Sequence, residues 1–485
     1  MSRPLGTATG PDKLKAVTEL VDSLSADLDK IILLPPGMYL TDRDLALEEL
    51  KIYGRNPENA DPIFTEKVSK ARSLGYALGI TMLLRHAFHS PSSKTARAAL
   101  RVLANAMLLN ADCRQIFVDK EFAPRACNEL KKENYDDEFL VSRVLFLLTY
   151  GTNVDLEDLI DKHHLAERII EKLARHAKEL SNKSKAKVDP MQDAALIETL
   201  KLLFNVTHYC PDHISAFTPA VPHIIPLLLK KDIPRPKPLD PPMGPLINAL
   251  LNLDLTTDKS KAAMYPKGPT FFSARLIDLL TPAIKAYSDN ELDAVVTPLI
   301  SVIRKVYEDA PEEIKQHFRN SLLPTADDRA NVLGKGDTVS ASLLKNSTNP
   351  TAPALREAIS HLLFDMSDRD ASKFVENVGY GFASGFLFQN NVPIPASASE
   401  AFSTSDPSGL QKHVNPITGQ FIDAEKPVEE PEMTEDEKLR EAERLFVLFE
   451  RLKKTGIVDV QNPVEAAMRE GRFRELKDDE VEELE

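Results

Sequence analysis

The feature that most constrains this chain is a short apolar helix core that keeps returning with a polar residue at one register. It reads Arg101-Val-Leu-Ala-Asn105, Lys201-Leu-Leu-Phe-Asn205 and Asn248-Ala-Leu-Leu-Asn252. Looser copies are Arg143-Val-Leu-Phe-Leu147, Val302-Ile-Arg-Lys305 and His361-Leu-Leu-Phe-Asp365. Taking Leu103, Leu145, Leu203, Leu250, Ile303 and Leu363 as anchors, the copies lie 42, 58, 47, 53 and 60 residues apart. A period of roughly 40–47 residues belongs to armadillo and HEAT repeats, stretched here where loops enter. One such unit cannot bury its apolar face alone, so neighbours stack into a superhelix whose concave face binds other molecules. The pattern points to recognition before chemistry.

Composition supports an all-α chain. Glycine is scarce at 18 of 485 residues, and no Asn-Gly, Asp-Gly or Gly-Gly pair offers a two-residue hairpin turn. Long stretches of Leu, Ala, Glu, Lys and Arg favour helix. The three cysteines, Cys113, Cys127 and Cys210, have neither metal spacing nor an even-numbered disulfide framework, as expected of a reduced intracellular protein. Residues 1–10 lack the apolar core of a secretory signal, and no apolar run approaches the ~18 residues of a membrane span. The expected location is cytoplasmic. Net charge is −14, of which residues 423–485 supply −10 through 21 acidic and 11 basic side chains. Such a balance argues against nucleic acid as a partner, because neutralising phosphates takes a concentrated basic face.

Helices are expected at 12–34, 41–53, 64–89, 93–109, 115–132, 137–150, 155–180, 191–209, 213–230, 242–254, 271–288, 290–308, 311–323, 351–367 and 370–388. Polar or Pro-rich segments at 181–192, 230–244, 255–270 and 324–350 interrupt them. The resulting domain division is a repeat domain over 1–388, an acidic, Pro- and Ser-rich mobile linker over 389–432, and a C-terminal unit over 433–485. That last unit opens on the capping box Thr434-Glu-Asp-Glu437. Leu439, Ala442, Leu445, Phe446, Phe449 and Leu452 then make an apolar stripe that suits docking on the repeat domain or on a partner.

Catalytic and cofactor motifs are wanting. Gly379-Tyr-Gly-Phe-Ala-Ser-Gly385 lacks a preceding strand and the third fingerprint glycine, and reads as a tight helix–helix crossing. Gly334-Lys335 has no upstream glycine of a phosphate loop and is followed by Gly336. His86/His89 and His163-His164 lack a third ligand at fixed spacing, so neither a metal nor a cofactor is expected. The chain is expected to break or make no bonds itself. The polar register carries the functional expectation instead. Asn105, Asn205 and Asn252 each follow Arg101, Lys201 or Asn248 by one helical turn and share its face. On a concave surface, Arg and Lys supply charge and Asn a donor and an acceptor, a trough suited to a helix ending in a carboxylate.

Several ordered motifs together resemble the synembryn family, cytosolic exchange factors and folding chaperones for heterotrimeric G-protein α subunits. They are Arg143-Val-Leu-Phe-Leu-Leu-Thr149, Leu200-Lys-Leu-Leu-Phe-Asn-Val-Thr207, Val378-Gly-Tyr-Gly-Phe-Ala-Ser-Gly385, Val414-Asn-Pro-Ile-Thr-Gly419, Met433-Thr-Glu-Asp-Glu-Lys438 and the Phe446/Phe449 helix. The resemblance implies a right-handed superhelix of armadillo/HEAT-like repeats with a flexible C-terminal extension. It also implies a monomer that meets GDP-bound and nucleotide-free α subunits and reaches membranes only through that partner. The groove would hold the C-terminal helix of the α subunit through Lys51, Arg55, Arg101 and Asn105, continued by Lys201 and Asn205. Lys51 stands where the family often has Arg, which removes a bidentate contact there. Leu445, Phe446, Phe449 and Leu452 would meet the partner's nucleotide domain, and Ser397 and Ser403 are candidate phosphorylation sites in the linker.

Overall fold

The structure is a computed structural model that describes residues 5–28, 40–65, 79–181, 189–266, 270–395, 402–405, 409–425, 440 and 446. In chain order the helices are α1 (Gly10–Asp27), α2 (Leu40–Tyr53), α3 (Asp61–Phe64), α4 (Gly79–His89), α5 (Ser93–Leu109), α6 (Ala111–Asp119), α7 (Ala123–Glu129), α8 (Tyr135–Leu148), α9 (Leu156–Asp161), α10 (Leu165–Ser181), α11 (Gln192–Tyr209) and α12 (Ile214–Phe217). They continue as α13 (Val221–Lys230), α14 (Met243–Asn252), α15 (Asp258–Met264), α16 (Phe271–Ala286), α17 (Asp289–Val295), α18 (Thr297–Asp309), α19 (Glu312–Leu322), α20 (Val339–Asn346), α21 (Pro353–Met366), α22 (Ala371–Val378) and α23 (Tyr380–Gln389). An antiparallel pair, β1 (Phe402–Ser405) and β2 (Gln411–Val414), follows.

The six repeat anchors are all buried, so the period read from sequence marks the inner seam of an all-α repeat superhelix. Helices α2, α5, α8, α11, α14, α18 and α21 form one row in which each packs on the next. Behind it, α10, α13, α16 and α20 form a second row. The two rows enclose one continuous apolar core. Met1–Ala424 is one compact unit and Glu425–Glu485 another.

In the middle of the inner row the polar residue of the repeat ties α11, α14 and α18 each to the inner helix before it. An α-helix ends with four carbonyls that lack intrahelical donors. Asn205 of α11 donates its side-chain amide to Thr149 Oγ1 (2.7 Å), and Thr149 caps the end of α8 with its hydroxyl on Phe146 O (2.7 Å). Asn252 of α14 repeats the step on α11, donating to Phe204 O (3.1 Å) and Thr207 Oγ1 (3.2 Å). Lys305 of α18 does the same for α14, its ammonium on Leu251 O (3.0 Å) and Leu253 O. The register therefore recurs because stacking needs it.

Local chemistry divides several helices expected to be single. The 115–132 helix breaks at Glu121 and the 155–180 helix at His164, both at φ 59°, a left-handed turn no helix can contain. The 290–308 helix restarts at Thr297 because Pro298 has no N–H to give. The 213–230 helix starts with 3₁₀ turns around Pro211 and Pro219. The interruptions at 255–270 and 324–350 are themselves partly helical, containing α15 and α20.

The largest correction concerns the mobile linker. Its residues 402–405 and 411–414 pair as a hairpin, and Asn415–Ala424 lies within the first compact unit. The orphan amides at the start of α23 hold this turn: Tyr380 N–H donates to Pro416 O (2.7 Å) and Gly381 N–H to Ile417 O (3.1 Å). Buried Arg329 donates to Gly419 O (2.9 Å) and to Glu376 O (2.7 Å), joining the turn to α22. Gly379 and Gly381 thus make room for a returning backbone rather than for a second helix. Gly379 has φ 82° and ψ 149°, and a Cβ there would lie 3.3 Å from Ile417 O and Gly419 N. Gly379→Ala is expected to cost about 1–3 kcal/mol, read as a lowered thermal midpoint.

His86 lies in the core, with Nε2 on Leu24 O (3.0 Å). Burial lowers its pKa below 6.5. Its neutral form is therefore the one the fold accepts, and its stability contribution, whole above about pH 6.5, is lost as pH falls below that. The melting temperature of the wild type should drop more between pH 7.5 and 5.5 than that of His86→Gln, which keeps a donor for Leu24 O. Equal slopes would show that another group titrates.

Candidate functional site

At one end of the inner row, α2, α5 and α8 surround a cavity of about 460 Å³. Lys51, Arg55, Arg101 and Arg143 bring four cations to its wall, and Asn105 a neutral amide. Ala104, Leu108, Leu109, Phe139 and Leu140 supply apolar surface. Arg101, Asn105 and Leu108 follow one another at one-turn spacing, so a single face of α5 presents charge, amide and hydrocarbon in sequence. Among the described residues no carboxylate lines the cavity.

Each cation is held in a different way. Gly54 ends α2 with its N–H on Leu50 O (2.8 Å) and turns the chain so that Arg55 stands exposed at the rim. Lys13 of α1 pins that loop through Asn56 O (2.9 Å) and Glu58 O (2.6 Å). Among the described residues Arg55 has no ion pair. Lys51 pairs with Glu48 in the preceding turn. Arg101 pairs with Asp136 (3.1 Å), and Arg143 reaches Glu198 of α11 (3.1 Å). Arg97, one turn before Arg101, grips Asp137 with two parallel bonds (2.7 and 2.8 Å) and fixes α5 against α8.

Helix α8 is locked from behind. Glu138, next to cavity residue Phe139, is sealed among His176 Nε2 (2.9 Å), Thr199 Oγ1 (2.9 Å) and Arg175. Burial alone would raise its pKa, but His176, Arg175 and Thr199 outweigh that and hold the carboxyl below its usual range.

Of the six groove residues expected from sequence, the structure gathers Lys51, Arg55, Arg101 and Asn105 around this cavity. Lys201 and Asn205 lie one helix further along. Lys201 stands over the Phe146 ring (4.6 Å) and pairs with Glu198 (2.8 Å). Asn205 is 6% exposed and its amide donates to Thr149, which commits it to the contact between α11 and α8. Asn105 differs from its repeat counterparts, since among the described residues its side chain makes no hydrogen bond. Sequence reading missed Phe139, Arg143, Leu108 and Leu109 as cavity residues. The signal for Arg143 was its place in a repeat copy, and that for Leu108 and Leu109 an apolar pair on the Asn105 face.

Ser403 is described, its hydroxyl 3.1 Å from His413 Nδ1 across the hairpin, whereas Ser397 lies outside the described residues. Leu445, Phe449 and Leu452 also lie outside them, and Phe446 is helical and half-buried. His89 accepts from Arg125 (2.7 Å), and His163 faces Asp158 (3.4 Å). Among the described residues no cluster of His, Cys, Asp or Glu gathers to hold a metal, and no helix is long and apolar enough to cross a membrane.

The fold and the cavity define an all-α repeat protein with a basic, apolar-walled cavity at one end of its inner row. The family model described as "guanine nucleotide exchange factor synembryn" matches residues 46–472, and the chain belongs to that family. A synembryn-like chaperone of Schizosaccharomyces pombe is 30% identical over 200 residues, covering 39% of this chain and 36% of that protein. Chaperone Ric-8A of Xenopus tropicalis is 21% identical over 445 residues, covering 85% of this chain and 81% of its own. Among solved structures, an engineered protein covers 59% of this chain at 14% identity with a TM-score of 0.37.

The two asparagines of the repeat should behave oppositely. Asn205→Ala is expected to cost about 1–2 kcal/mol in denaturant unfolding and to leave partner binding unchanged. Asn105→Ala should leave stability within about 0.5 kcal/mol of wild type.

Proposed function

We propose that the chain is an exchange factor and folding chaperone for heterotrimeric G-protein α subunits. It takes the C-terminal helix of the α subunit in the cavity between α2, α5 and α8. The observation that carries this reading is the convergence of Lys51, Arg55, Arg101 and Asn105, from segments fifty residues apart in the chain, on one apolar-walled cavity. A C-terminal helix ends in a carboxylate and exposes unsatisfied carbonyls in its last turn. Arg55 would take the carboxylate and Asn105 a carbonyl. Leu108 and Leu109, 52% and 44% exposed, would take apolar side chains of that helix.

Withdrawing that helix from the GTPase lowers its affinity for GDP only if the chain binds the nucleotide-free state more tightly than the GDP state. Leu445, Phe446, Phe449 and Leu452 would meet the nucleotide domain, and phosphorylation at Ser397 or Ser403 would act on the segment ahead of them. The working unit is a cytoplasmic monomer, drawn to membranes by its partner.

The relatives' description as chaperones favours a second reading, in which the chain captures nascent α subunits without speeding exchange. GDP release from purified α subunits separates the two. Acceleration by wild type that is lost in an Arg55→Ala/Asn105→Ala double mutant, with affinity down at least tenfold, is the expected result. Capture of the nucleotide-free partner without acceleration would leave the chaperone alone. Wild-type release by the double mutant would remove the cavity from either reading.

A further inference from the structure

Three of the cavity's four cations already have carboxylate neighbours, and the neighbours are unequal. Glu48 and Asp136 have side chains 37% and 31% exposed, open to water and salt. The Glu198 side chain is 5% exposed. Its Oε1 accepts from Arg143 Nη1 (3.1 Å) and from Lys201 Nζ (2.8 Å), while Oε2 is buried without a partner. A buried carboxylate with an unmet oxygen costs stability. The contacts do not demand the charge, because a glutamine oxygen in the same place would accept from both cations. What the charge adds is a poorly screened negative field one guanidinium away from the cavity.

We propose that Glu198 is a built-in counter-anion that limits how tightly the cavity holds an anionic ligand and so matches it to a single terminal carboxylate. The inference rests on the reading that the cavity receives the carboxylate end of the partner helix. Arg143, Lys201 and Glu198 sum to one positive charge at this junction. A ligand carboxylate on the cavity side of Arg143 is attracted by that remainder and repelled by Glu198. Neutralising Glu198 doubles the net charge that the ligand meets, and removing Lys201 cancels it.

The test uses the full chain and a fluorescent synthetic peptide with the C-terminal sequence of a G-protein α subunit, made both as the free acid and as the C-terminal amide. Glu198→Gln should tighten binding of the free acid by about 3- to 10-fold and leave the amide unchanged. Lys201→Met should weaken the free acid by a similar factor, which guards against a folding artefact in either variant. Unchanged or weaker binding of the free acid by Glu198→Gln, or an equal gain for both peptides, would overturn the role of Glu198. A wild type that does not prefer the free acid over the amide would instead overturn the underlying reading of the cavity.

Discussion

The capping of three successive inner helices, α8, α11 and α14, by a side chain from the next is the interaction on which the rest of the structure depends. Apolar burial drives stacking but is indifferent to small slips along the row. The Asn205, Asn252 and Lys305 bonds are directional and reach the same feature each time, the unsatisfied end of the preceding helix. Breaking one leaves buried polar groups unpaired, so they set the register that the core alone leaves loose. Asn105 occupies the corresponding place on α5, beside the end of α2, and among the described residues its amide makes no such bond. The same residue type is thus structural along the row and available at its end.

That end is also where charge accumulates. Lys51, Arg101 and Arg143 come from three helices and Arg55 from the loop after α2, and each segment is fixed by its own device: Lys13 and Gly54 for the α2 loop, Arg97–Asp137 for α5, Glu138 for α8. A ligand therefore meets cations in set positions, and little of its binding energy is lost in arranging them. The neighbouring carboxylates Glu48, Asp136 and Glu198 keep mutual repulsion low in the unoccupied cavity.

Much of this was legible in sequence, and the failures are instructive. The anchors from Leu103 to Leu363 were visible because burial imposes a period. The Asn register is visible too, but not the bond that Asn205 makes to the end of α8. Spacing tells which face a residue shares, not which neighbouring helix end lies within reach. Arg143 and Phe139 were missed because the cavity joins segments far apart in the chain, and the α8 copy has Leu147 where others carry a polar residue. The breaks at Glu121 and His164 left no trace because neither is glycine. Val414–Gly419 was assigned to a mobile linker on composition, since its partners are the backbone amides of Tyr380 and Gly381, which no side-chain pattern reports.

The proposed activity requires that the α2–α5–α8 cavity hold the C-terminal end of a G-protein α subunit. A photo-crosslinking amino acid at position 109, in complex with the nucleotide-free partner, tests this most directly. The predicted product joins residue 109 to the last turns of the partner's C-terminal helix and fails to form when that helix is truncated. A complex that assembles fully but crosslinks elsewhere on the partner, or not at all, would contradict it.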